Sequence, residues 1–104
     1  MSDVTLNVDA GVCRFKTVMI ATMDENMDIV YKVKSECPAV RAVAKTFQPV
    51  PLFDAVAKPF TENTIYKMCS ELEHVACPVP CALVKAAEAA GELALKKTVT
   101  FTFE

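Results

Sequence analysis

Apolar and polar residues alternate along the N-terminal third of the chain in the period of β-strands. In "DVTLNVD" (3–9), Val4, Leu6 and Val8 alternate with Thr5, Asn7 and Asp9, which predicts a half-buried strand. Ala10 and Gly11 signal a turn. "CRFKTVMIATM" (13–23) predicts a second strand, apolar on both faces: Phe15 and Met19 on one, Val18 and Ile20 on the other. Such a strand is central or covered twice. A polar turn at Asp24, Glu25 and Asn26 follows. "MDIVYKVKS" (27–35) then sets Ile29, Tyr31 and Val33 against Lys32 and Lys34, and pairs with the second strand as an antiparallel hairpin.

The middle changes to helical spacing. In "CPAVRAVAKTF" (37–47), Pro38 suits a first helical turn, and Val40, Val43, Ala44 and Phe47 repeat at i, i+3, i+4, i+7. "QPVP" ends that helix. "PLFDAVAK" (51–58) predicts a short second helix with Leu52, Phe53 and Val56 inward, closed by Pro59. A third helix is expected over "TENTIYKMCSELEH" (61–74), with Ile65, Met68, Cys69 and Leu72 on one face. A fourth over "PCALVKAAEAAGEL" (80–93) is opened by Pro80 and ended near Gly91. Last, "KKTVTFTFE" (96–104) alternates Val99, Phe101 and Phe103 with Thr98, Thr100 and Thr102, a final strand. The order β-β-β-α-α-α-α-β segregates strands from helices and predicts an α+β fold. Its antiparallel sheet carries the helices packed on one face.

Composition narrows this picture. The chain has 104 residues, 53% of them hydrophobic, and a mean hydropathy of +0.29. That suits a single domain, residues 1–104, with a real core. No apolar run reaches the ~18 residues that cross a bilayer, so no membrane span is expected. The start lacks a basic segment followed by an apolar one, which predicts a cytoplasmic protein. Net charge is −2 with mixed signs and no basic cluster, which argues against nucleic-acid binding. A free edge at the final strand suggests a homodimer built through that edge.

Five cysteines are many for such a chain. An odd number in a reducing compartment argues against a disulfide framework and leaves metal ligation, thiol chemistry or packing. Cys13, Cys37, Cys77 and Cys81 fall at predicted element ends, where loops gather. "ECPAVRAVA" and "ACPVPCALVKAA" each place a thiol and a proline at a helix start, where free N–H groups and the helix dipole favour thiolate. Cys13, Cys37 and Cys77 could share a metal, with Cys69, Cys81 or His74 as fourth ligand, since zinc takes four. Each residue also has a plainer role. Cys69 on an apolar stripe reads as core, Cys81 points either way, and His74 near a helix C-terminus reads as a surface residue. Cys77 and Cys81, one helical turn apart, could instead form an exchanging thiol pair. Hydrolytic chemistry finds little support: there is one histidine, no Gly-rich phosphate loop and no nucleophile elbow.

"AGVC" before a strand, a hairpin ending at a cysteine that opens a helix, and a late "CP" opening the last helix resemble the TSCPD domain. The resemblance covers about residues 10–91. It implies a metal site of four separated cysteines, which fall here on Cys13, Cys37, Cys69 and Cys77. The chain departs from that pattern in several places. "Val-Ala-Cys-Pro-Val" stands for Thr-Ser-Cys-Pro-Asp, and Ser35-Glu36 for the Gly-Gly before the second cysteine. The glycine beside the third cysteine is absent, and Cys81 and the final strand are additional. The whole chain also resembles a small family of unknown function from anaerobes that shares "AGVC", "CP" and "ACPVP". Together these readings predict a cysteine-rich metal-binding protein holding zinc or an iron–sulfur cluster. The alternatives are a thiol-redox protein using Cys77 and Cys81, or a non-catalytic interaction domain with core cysteines.

Overall fold

Short polar side chains build the two hairpin turns. The computed structural model describes residues 3–104. Strand β1 (Val4–Asp9) and strand β2 (Lys16–Met23) are joined by a turn in which Asp9 Oδ1 accepts from the Gly11 N–H at 3.1 Å. Gly11 takes φ +85°, a conformation that glycine adopts without steric cost. Strand β3 (Asp28–Ser35) follows β2 through a turn organised by Asp24, whose Oδ1 accepts from Asn26 N at 2.9 Å and Asp28 N at 3.0 Å. Met27 closes this turn at φ +62°, a left-handed position that costs a non-glycine residue roughly 1–2 kcal/mol.

The first three strands run antiparallel in the order β1-β2-β3, with Leu6 opposite Met19 and Ala21 opposite Tyr31. Met19, Ala21 and Ile29 are fully buried, while Val18 and Val30 on the other face are partly open and Lys32 and Lys34 exposed. Strand β2 is therefore central in the order but covered on one face only. It begins at Lys16 rather than Cys13, because the residues before it belong to the turn. Arg14 there has φ +62°, its N–H donates to the Gly11 carbonyl at 2.9 Å, and Phe15 is partly exposed.

Helix α1 (Pro38–Ala44) buries Val40 and Val43 against β3. The following "QPVP" does more than end a helix. Val50–Pro51 forms β4, a two-residue strand beside Asp28 and Ile29, with Val50 buried. A pair this short has no visible period. Helix α2 (Leu52–Val56) turns Leu52 and Ala55 inward and leaves Phe53 exposed, which corrects the expected facing of Phe53. Helix α3 (Thr64–Met68) is one short turn, starting later and ending earlier than its apolar stripe suggests. Asn63 caps it, with Oδ1 accepting from Tyr66 N at 3.1 Å and Nδ2 donating to the buried Ala55 carbonyl at 2.8 Å. The chain leaves the helix at Cys69, its C-cap, so Leu72 packs on the core from a turn.

Helix α4 (Val79–Ala90) is the long element. Val79, Ala82, Leu83, Ala86, Ala87 and Ala90 form one buried stripe, and their small size lets the helix lie close on β1 and β2. It ends with a paired cap: Glu92 N donates to the Ala89 carbonyl and Leu93 N to the Glu88 carbonyl, with Glu92 at φ +61°. The left-handed residue is thus Glu92. Gly91 matters for another reason: a Cβ there would lie 2.7 Å from both Leu52 methyls, so that buried side chain would have to shift.

The expected final strand does not form. Among the described residues, 95–104 pair with no strand, and Val99, Phe101 and Phe103 are 52%, 85% and 101% exposed. The alternation is real, but a strand exists only with a partner, and the lone chain supplies none to it. The observed order is therefore β-β-β-α-β-α-α-α.

Contacts along the sheet fix which way α4 points. Its C-terminal Gly91 touches Leu52, whose N–H donates to Met27 in the β2–β3 turn. Nearer its start, the Leu83 carbonyl accepts from Tyr31 Oη at 2.6 Å. The start of α4 thus faces the end of the sheet that holds the β1–β2 turn and the end of β3.

Candidate functional site

That end of the molecule carries the thiols. Cys13 sits in the β1–β2 turn and is exposed. Across the sheet, Lys16 N donates to Glu36 Oε1 at 2.8 Å and Glu36 N to the Lys16 carbonyl at 3.0 Å, which ties this turn to the segment leading into α1. Cys37 is the residue before α1. Its N–H donates to Ser35 Oγ at 3.0 Å, its carbonyl accepts from Arg41 N, and its half-buried side chain packs on the core. The sulfur makes no capping bond to the helix it precedes.

Cys69 and Cys77 are electrostatic neighbours. Cys69 is 5% exposed. Burial pushes its thiol up to about 12, and the neighbouring Cys77 adds to the rise. Cys77 is half-buried in the turn before α4, with its N–H donating to the His74 carbonyl at 3.1 Å. Cys81 lies inside the first turn of α4 and is exposed, beside Tyr66. Burial raises the Tyr66 hydroxyl, and Cys81 contributes further. His74 is exposed.

The cysteines expected as ligands thus have unequal settings. Cys37, Cys69 and Cys77 all border the core, with Cys69 and Cys77 as electrostatic neighbours, while Cys13 stands out in solvent. Among the described residues, no three His, Cys, Asp or Glu side chains are gathered closely enough to hold an ion, and the cysteines are free thiols. Cys69 is a core residue, as its apolar stripe predicts, and has Cys77 as an electrostatic neighbour.

Two tyrosines belong to this region and were not singled out by sequence. Tyr31 crosses from β3 to the α4 backbone, packs edge-on to Phe47 at 6.1 Å, and has its hydroxyl raised by burial and by Cys69. Its place on the inward face of the third strand was the available signal. Tyr66 lines a groove of about 360 Å³ with Phe60, Cys81, Val84, Lys85 and Glu88, and packs edge-on to Phe60 at 5.6 Å. Nothing in its spacing marked it.

Among the described residues no helix is long and apolar enough to cross a membrane. No curated protein and no solved structure matches the chain. Residues 4–103 match DUF6951, a family of unknown function, and the chain belongs to that family.

Proposed function

We propose that this chain is a small metal-binding domain whose Cys13, Cys37, Cys69 and Cys77 hold a thiophilic centre, zinc or an iron–sulfur cluster. The observation that carries this reading is placement. The β1–β2 turn, the start of α1 and the lead-in to α4 lie toward one end of the sheet, and Cys69 adjoins Cys77 there. Sulfur donors suit both kinds of centre.

The donor chemistry fits, but the thiols are not gathered as a ready group. Uptake therefore includes an inward movement of the exposed turn that carries Cys13. It also releases protons, because a ligand thiol must become thiolate and burial holds Cys69 protonated. A bound zinc would tie the hairpin turn to the helical layer, which is a structural role, whereas a cluster would add electron transfer.

Zinc titration of the reduced, metal-free chain tests the reading through two signals, melting temperature and proton release. The expected result is a raised melting temperature with proton release. Both should be lost in Cys13→Ser and Cys77→Ser and kept in Cys81→Ser. An unmoved melting temperature would overturn the reading. Loss in Cys81→Ser alone would also overturn it and would turn attention to Cys77 and Cys81 as an exchanging thiol pair.

A further inference from the structure

A strand-forming segment without a partner and a sheet edge without a neighbour occur in the same chain. We infer that two copies exchange their C-terminal segments: residues 96–104 of each add, antiparallel, to the free edge of β1 in the other.

The acceptor is defined by what the sheet leaves open. Strand β1 is at the edge of the order β1-β2-β3-β4 and, among the described residues, pairs with β2 alone. Alternate N–H and C=O groups along its outer side have no strand partner. The opposite edge is less available. Strand β4 takes Asp28 and Ile29, α1 packs on β3, and Arg41 Nη1 donates to the Ser35 carbonyl at 3.0 Å.

The donor matches this edge in period. On β1, Val4, Leu6 and Val8 face the helices, and Leu6 and Val8 are only partly covered. In the tail, Val99, Phe101 and Phe103 alternate with threonines and are largely bare. Laid beside β1, they extend the apolar face beyond its rim, while the threonines continue the polar row of Thr5 and Asn7. The match to the family runs to residue 103, so this segment belongs to the family unit.

Charge selects the register within the antiparallel arrangement: with Val99 opposite Leu6 and Phe101 opposite Val4, Lys96 falls opposite Asp9. A parallel tail repels where Glu104 falls beside Asp9 but not where Lys96 falls beside Asp3, so direction rests instead on the greater stability of antiparallel pairing per residue.

Reach then selects a second copy over the chain's own edge. Helix α4 ends at the same end of the sheet as the β2–β3 turn, and Val4, paired with Ala21, also lies toward that end. An antiparallel tail must start at the Asp9 end, about 17 Å away along six residues of β1. The bond from Leu93 N to the Glu88 carbonyl, 2.8 Å, anchors the chain just after the helix. Ala94 and Leu95 remain to bridge the gap, and two residues span about 7 Å. A reciprocal exchange between two copies removes this limit and closes the assembly with twofold symmetry.

The test is molar mass by sedimentation over a concentration series, with amide exchange on the same samples. The full chain should be a dimer with protected amides at 98–103 and along β1. Phe101→Asp, and a chain ending at Ala94, should be monomers that melt as the dilute full-length monomer does, since no tail residue joins the core of the lone chain. Lys96→Glu should weaken the dimer about 4- to 25-fold, because the reciprocal exchange contains two such cross-strand charge pairs of about 2- to 5-fold each. A full chain that stays monomeric overturns the inference, whether its tail amides are exposed or protected against its own sheet. A dimer that survives Phe101→Asp and the truncation also overturns it, because the interface would then lie elsewhere.

Discussion

Residues Val4–Asp9 and residues 98–103 alternate apolar and polar side chains with the same period. One segment is an ordered strand with Val4 buried; the other lies bare, with Phe103 fully exposed. The difference is in the surroundings. Strand β1 is followed within a few residues by an antiparallel neighbour, and α4 covers its inner face. The tail comes after α4, at the wrong end of the sheet to return antiparallel to β1. Alternation thus specifies competence to pair and says nothing of whether a partner is within reach.

Substitutions on the two sides of this comparison should differ most. Met19→Ala removes a fully buried side chain opposite Leu6 and should cost about 2–5 kcal/mol in denaturant unfolding. Phe101→Ala, equally apolar in sequence, should change the unfolding free energy of the dilute monomer by less than about 0.5 kcal/mol. Gly91→Ala tests the close contact where the tail leaves the body. With a Cβ 2.7 Å from the Leu52 methyls, it should destabilise by about 1–3 kcal/mol. The neighbouring Glu92→Gly should instead stabilise by about 1 kcal/mol by relieving a left-handed backbone. Equal responses to both changes would contradict the cap assignment.

Smaller effects sharpen the account of the thiol end. Cys69 has its thiol raised from the ordinary 9.0 to about 12 in the folded chain. The unfolded chain loses this proton first, so the contribution is fully present below about pH 9 and is lost as pH rises from there toward 12. Tyr31, also raised by burial, shifts the balance in the same direction at higher pH. Stability should therefore be flat near neutrality with respect to these groups and fall on the alkaline side, less steeply in Cys69→Ala. An identical alkaline slope in that variant would refute the burial argument. Alkylation under native conditions should mark Cys13 and Cys81 first and Cys69 last, following exposure. Rapid labelling of Cys69, read by peptide mass, would contradict its place in the core.

Much of the fold was legible because periodic burial leaves a periodic sequence. The hairpin of β2 and β3, the inward face of Ile29, Tyr31 and Val33, and the buried stripe of α4 all follow from it. What was not legible depends on contacts distant in sequence. The pair Val50–Pro51 is too short to show a period and exists because Asp28 and Ile29 leave an edge beside it. Phe53 faces outward although it lies in an apolar run, because Leu52 and Ala55 take the inward positions of one short turn. Cys13 carries the Gly-Val-Cys signal, but its exposure follows from turn geometry at Gly11 and Arg14. The electrostatic proximity of Cys69 to Cys77 could not be read from their spacing, since it depends on how the segments after α3 and before α4 pack.

The most direct test of the proposed metal site is the metal content of protein purified without oxygen, measured by elemental analysis beside a visible absorption spectrum. The account predicts about one zinc per chain without colour, or iron with sulfide and a brown chromophore. In either case the metal should be lost in Cys77→Ser. Metal-free protein with every thiol titratable, and no uptake on adding zinc or on reconstitution with iron and sulfide, would contradict it.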